Sequence, residues 1–102
     1  MALEKFTNYT PGQPEHWTGR KTNPAIGNQY WYQEIVLKSA EKRPQEKIDI
    51  GLLGYASDEG VRRNQGRIGA AQGPDAIRGR LAKMPFHLGH KKVADFGNVF
   101  CL

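Results

Sequence analysis

Lys47-Ile48-Asp49-Ile50-Gly51-Leu52-Leu53-Gly54 is the strongest apolar run in the chain, and its reading decides the fold. Between Ile48 and Leu53 the only charge is Asp49. A short run that is apolar without alternation suits a strand covered on both faces, as in a parallel sheet. Downstream lies a long loop, 55–73, carrying Gly60, Gly66, Gly69 and Gly73. A helix is then expected. Pro74 stands at its first position, Asp75 in its first turn, and Ile77, Leu81 and Met84 form one apolar face. Pro85 ends it, because proline offers no N–H to continue the ladder. Residues 86–92 read as a polar turn and Lys92–Val99 as a second strand.

Strand, loop, helix, strand is a βαβ unit, whose crossover makes the two strands parallel. The expected class is therefore α/β with a parallel sheet. One helix and two strands cannot cover both faces of such a sheet. Apolar surface on Ile48, Ile50, Leu52 and Leu53 or their neighbours is expected to stay exposed until more chain or another subunit covers it. The segment 47–102 thus reads as the beginning of a larger α/β domain.

Residues 1–46 read as an N-terminal arm. Leu3 and Ile26 are the only Leu, Ile or Val in 1–29, and Pro11, Gly12, Pro14, Gly19, Pro24 and Gly27 break any period there. Phe6, Tyr9 and Trp17 suit an extended arm that packs through its aromatics. Residues 29–40 fit a short helix with Tyr32, Ile35, Val36 and Ser39 on one face, and their β-branched and aromatic content equally permits a strand. Pro44 lies in the charged connector 41–46.

Hydrophobic residues make up 38% of the 102 residues. This is below the roughly 45–50% of a typical globular chain, a range that also counts glycine, so a single core element with little to cover it is expected. The charge is +5, from 15 Lys and Arg against 10 Asp and Glu. Acids at Glu41, Glu46, Asp49, Asp58, Glu59 and Asp75 interrupt the basic residues, and a nucleic-acid partner is not expected. Cys101 is the only cysteine, which excludes an intrachain disulfide and fits a reducing, cytoplasmic setting. No stretch nears the roughly 18 apolar residues of a membrane span, and 1–29 lacks the apolar core of a signal peptide.

Gly51, Gly54 and Gly60 do not make a dinucleotide fingerprint, and no phosphate-binding P-loop is present. His87 and His90 fall in a turn marked by Pro85 and Gly89, with no carboxylate at ligand spacing, so they read as surface residues rather than metal ligands. Ser57 lacks the surroundings of a nucleophile elbow, and Ser57 or Asp58 is expected to cap a short helical turn. No catalytic residue and no metal ligand is assigned. The loop after the first strand is the exception, because α/β folds place ligands at strand carboxyl ends. It carries Arg62, Arg63, Asn64 and Arg67, suited to gripping carboxylates. Pairing of these arginines with Asp58, Glu59 or Asp75, or with a neighbouring subunit, is the structural alternative.

Residues 51–78, Gly-Leu-Leu-Gly-Tyr-Ala-Ser-Asp-Glu-Gly-Val-Arg-Arg-Asn-Gln-Gly-Arg-Ile-Gly-Ala-Ala-Gln-Gly-Pro-Asp-Ala-Ile-Arg, resemble the ureohydrolase (arginase/agmatinase) family. The piece Gly73-Pro74-Asp75-Ala76-Ile77-Arg78 carries the family likeness. Asp58-Glu59-Gly60-Val61-Arg62-Arg63-Asn64 points to its formimidoylglutamase branch. Trp17-Thr18-Gly19-Arg20 looks like that branch's N-terminal motif, and Asp95-Phe96-Gly97-Asn98-Val99 is similar to the family's second strand. The resemblance implies the N-terminal part of a three-layer arginase-like fold with a parallel sheet, often homo-oligomeric. It implies hydrolysis of N-formimidoyl-L-glutamate to L-glutamate and formamide in histidine degradation, with water activated by two Mn²⁺ ions. The family's metal-binding segments, Gly-Gly-x-His, Asp-x-His-x-Asp and Ser-x-Asp-x-Asp, are not in these residues. The chain is therefore expected to be a fragment that holds no metal and is inactive alone, with Arg62, Arg63, Asn64 and Arg67 as its substrate contacts. A non-catalytic basic interaction module, or a fragment of another ureohydrolase, is the competing expectation.

Overall fold

A computed structural model of the chain describes residues 8–58 and 69–100. The strand expected at Lys92–Val99 runs over Val93–Phe100, and it organises the rest. The other strands are β1 (Tyr9–Thr10), β2 (Val36–Leu37) and β3 (Ile50–Ala56); Val93–Phe100 is β4. Among the described residues the helices are α1 (Trp31–Glu34) and α2 (Gly73–Ala82), with short 3₁₀ turns at Pro14–His16, Pro24–Ile26 and Ala70–Gln72.

β3 pairs with β4 in parallel along its length, from Ile50 opposite Val93 to Ala56 opposite Phe100. A strand has two edges, so β1 and β2 share the other edge of β4. β2 is parallel to it at Ala94 and Asp95, and β1 is antiparallel at Asn98 and Val99. The expected parallel β3–α2–β4 unit is present. The sheet as a whole is mixed rather than purely parallel, because the arm returns along the edge of β4 in the opposite direction.

The apolar run at 47–54 forms a strand shifted towards its carboxyl end. Asp49 stays outside β3 and ties its start to the chain before β4. The Asp49 N–H donates to the Lys92 carbonyl (2.9 Å), and the Lys92 N–H donates to Asp49 Oδ2 (2.7 Å). β3 is not covered on both faces. Leu52 packs on the core, whereas Leu53 and Tyr55 are 55% and 65% exposed. Among the described residues its outer edge has no partner strand.

Residues 29–40 contain both alternatives in sequence, one helical turn followed by a strand. The Gln33 side chain accepts from the Gln29 and Tyr30 N–H groups (2.7 and 3.0 Å), satisfying two donors at the start of α1. β-branched Ile35 and Val36 then leave the helix for extended backbone. Of the expected face of Tyr32, Ile35, Val36 and Ser39, Tyr32 and Ile35 pack against the core, and Trp31 is the buried residue of α1.

α2 also turns a different face inward. Ile77 is 66% exposed and Met84 lies beyond the helix end, half exposed, while Arg78 and Ala82 are buried. Leu81 alone of the expected stripe reaches the core. The reason is polar: Asp75, Arg78 and Ala82 stand at helical i, i+3 and i+7 spacing, and Arg78 has partners inside that Ile77 lacks.

The core gathers Trp17, Trp31, Ala82 and Val93, with Leu37, Leu52, Leu81, Phe86 and Leu88 packed against it. Trp31 meets Phe86 edge to face, with ring centroids 4.9 Å apart. The segment 86–92, expected as a polar turn, therefore contributes Phe86 and Leu88 to the core. No helix among the described residues is long and apolar enough to cross a membrane.

Candidate functional site

The carboxyl ends of β3 and β4 meet the amino-terminal end of α2 and the arm around a cavity of about 220 Å³. This is where a parallel βαβ unit places ligands. Its wall is a connected polar network centred on Arg78.

Asp95, in β4, is fully buried, and Arg78 is 5% exposed. The Arg78 Nε–H donates to both Asp95 carboxylate oxygens at 3.0 Å. Its terminal nitrogens donate to the Gly97 carbonyl (2.7 Å), Asn98 Oδ1 (2.6 Å) and Asp75 Oδ1 (3.4 Å). Asp95 accepts two further bonds, from the Trp17 indole N–H (2.8 Å) and the Gly97 N–H (2.9 Å). A buried ion pair survives only with such additional bonds, since desolvating two charges is costly. Here every nitrogen of Arg78 has a partner, so its guanidinium is not available to grip a ligand carboxylate.

Three of the four motifs that carry the family resemblance thus meet in one unit. Trp17 comes from the arm, Arg78 from the Gly-Pro-x-x-Ile-Arg piece, and Asp95, Gly97 and Asn98 from the second strand. Gly97 lets the arm cross β4 closely. It has φ +88°, and a Cβ there would overlap the Thr10 carbonyl oxygen and Pro11. Tyr9 anchors the same crossing by donating its hydroxyl to the Phe96 carbonyl.

Asp75 forms the outer part of the network. Its Oδ1 accepts from Asn98 Nδ2 (3.0 Å) and Arg78, and His16 Nε2 lies 3.4 Å away. His16 also lies 3.8 Å from Glu15. Motif and spacing alone do not place Arg78, Asp75, Asp95 or His16 in a site. The available signal is the charge of Asp95 inside an otherwise uncharged strand, since such a charge is rarely buried without a partner.

The predicted substrate contacts Arg62, Arg63, Asn64 and Arg67 lie outside the described residues. Asp58 and Gly69, which flank that segment, are joined: Asp58 Oδ1 accepts from the Gly69 and Ala71 N–H groups at 2.8 and 3.0 Å. Asp58 therefore caps the Ala70–Gln72 turn, across the loop rather than locally. His87 and His90 are exposed. Among the described residues, no three His, Cys, Asp or Glu side chains are grouped to hold a metal ion. Asp95, fully buried, is committed to Arg78, Trp17 and Gly97. These residues do not supply the donor set of a dimetal centre.

Two carboxylates elsewhere are held below their ordinary range. A hydrogen bond from Lys38 is the main cause at Glu46, and the Lys92 N–H is the main cause at Asp49.

No protein-family model matches the chain, and no solved structure does. Curated proteins do match. The formimidoylglutamase of Citrobacter koseri is 42% identical over 95 residues, 92% of this chain. That of Legionella pneumophila (strain Lens) is 40% identical over 101 residues, 97% of this chain, and that of Klebsiella pneumoniae (strain 342) is 43% identical over 84 residues. The chain spans about 30% of the length of the first two relatives and 26% of the third. Over 92% of its length, the chain is a sequence relative of the formimidoylglutamases.

Proposed function

We propose that these residues form one part of a hydrolase that cleaves N-formimidoyl-L-glutamate to L-glutamate and formamide. The observation that carries the reading is identity of 42% over 92% of the chain to a formimidoylglutamase. Water adds to the formimidoyl carbon, the bond from that carbon to the glutamate nitrogen breaks, and the nitrogen leaves as the free amine. The Trp17–Arg78–Asp95 network fixes the arm, α2 and β4 relative to one another, and so sets the end of the sheet where substrate binds. Arg62, Arg63, Asn64 and Arg67 follow β3 in sequence and supply donors suited to the glutamate carboxylates.

In this reading the segment opens an arginase-like three-layer domain of a cytoplasmic, homo-oligomeric enzyme of histidine degradation. Two Mn²⁺ ions, held by ligands outside these residues, supply the activated water when bound. The test is turnover of formimidoylglutamate by a longer protein that contains this segment. Formamide release is expected, and Ala at Arg62, Arg63, Asn64 or Arg67 should raise KM about tenfold or more for at least one position. Absence of turnover with Mn²⁺ supplied would overturn the reading.

A further inference from the structure

Asp58 stands just beyond the end of β3 at Ala56, and the two N–H groups it accepts from belong to Gly69 and Ala71, just before α2. These partners are 11 and 13 residues away in sequence, so the contact closes a long segment rather than a local turn. One oxygen, Oδ1, takes both bonds, at 2.8 and 3.0 Å. Bonds from N–H groups to a carboxylate are among the stronger hydrogen bonds. Gly69 has φ +153°, a conformation that L side chains rarely adopt, although nothing lies within 4 Å of where a Cβ would stand. Glycine is favoured there by the backbone path that brings both N–H groups to Asp58, and not by crowding. The two elements that Asp58 joins are each fixed elsewhere, β3 by its pairing with β4 and α2 by Arg78 on Asp95. Arg62, Arg63, Asn64 and Arg67 all lie between Asp58 and Gly69 in sequence. A segment held close at its two ends has fewer conformations to lose when its side chains take a ligand.

We propose that Asp58 is a positioning residue for substrate binding: by joining the two ends of 59–68 it sets where Arg62, Arg63, Asn64 and Arg67 present their donors. The inference rests on the proposed hydrolysis of formimidoylglutamate, with those four residues on the glutamate carboxylates. Asp58 touches no reacting atom and acts only through the residues it holds in place. The carboxylates are remote from the bond that breaks, so donors on them hold substrate and transition state alike. Loss of the clamp therefore raises KM and leaves kcat nearly unchanged.

The experiment is steady-state kinetics of formamide release from formimidoylglutamate by a longer protein that contains this segment, with Mn²⁺ supplied. Asp58→Ala should raise KM about tenfold and hold kcat within about twofold. Asp58→Asn keeps the acceptor oxygen that takes both N–H groups, and should return KM to within about threefold of the parent. Gly69→Ala disturbs the same contact from its other side without touching the carboxylate, and should move KM in the same direction. A residue that only stabilises the fold would lower Tm and leave KM where it was. The parent's KM in Asp58→Ala, or a fall in kcat at constant KM, would overturn the proposal. So would Asp58→Asn as impaired as Asp58→Ala, since the charge rather than the acceptor would then matter. If Asp58→Ala does not fold, Gly69→Ala decides, and an unchanged KM there overturns the proposal. An inactive parent overturns the proposed function and the positioning role together, whereas an active parent with unchanged KM in the variants overturns the positioning role alone.

Discussion

β3 and β4 lie side by side and in parallel, yet they are opposite in character. β3 comes from the most apolar stretch of the sequence and has no buried residue. β4 carries an aspartate, a glycine and an asparagine in its middle, and Val93, Ala94, Asp95 and Gly97 are all buried. Hydrophobicity marks both as strands. It does not say which is central. That is decided by what each strand's polar atoms find on either side. Asp95 finds Arg78, Trp17 and the Gly97 N–H, which draws the arm and α2 onto β4. β3 offers its neighbours only apolar side chains and one free edge, and nothing among the described residues covers its outer positions.

The largest expected break in this comparison is Asp95→Ala. It leaves the Arg78 cation buried without its main partner, a loss of about 3–5 kcal/mol, which is a large part of a small domain's stability. Leu53→Ala in β3 should cost under about 0.5 kcal/mol, since its side chain is more than half exposed. Urea unfolding of both variants checks the contrast, and similar losses would refute it.

Next comes Gly97→Ala. The positive φ and the close approach of Thr10 and Pro11 predict a loss of about 2 kcal/mol or more, with the arm displaced. Release of the arm would appear as loss of the Trp17 indole shift. Trp17→Phe keeps most of the apolar burial and removes one donor to a buried carboxylate, for about 1–2 kcal/mol. A thermal melt indistinguishable from the parent would show that the indole bond contributes nothing.

The smallest effect is in pH. Asp49 and Glu46 are both held below their ordinary range, by the Lys92 N–H and by Lys38. A carboxylate depressed in the folded state stabilises it above the unfolded pKa, and that contribution fades as pH falls through the folded value. Stability should therefore decline modestly below about pH 4. Asp49→Asn should flatten part of that decline, and an unchanged acid limb would exclude the Asp49 contribution.

Much of this was legible from the residues, and the limits have physical causes. The βαβ order followed from the apolar runs and from Pro74 and Pro85, because these act locally. The inward face of α2 did not. Ile77, Leu81 and Met84 have the spacing of an apolar stripe, but Arg78 outcompetes Ile77 for the interior by virtue of partners about 20 residues away in sequence. Trp17 was legible as an aromatic that needed a surface, though not as a hydrogen-bond donor to Asp95. Three of the four motifs behind the family resemblance, at 17–20, 73–78 and 95–99, are separate signatures in the sequence. Only their meeting in space gives them a shared physical reason.

The central claim is that Arg78 and Asp95 act as one unit that makes β4 the middle of the sheet. A double-mutant cycle on Arg78→Met and Asp95→Asn, followed by urea unfolding, tests it most directly. Each single change should be strongly destabilising, and the double variant should lose little more than the worse single. The resulting coupling should be about 2 kcal/mol or more. Losses that simply add would contradict the account.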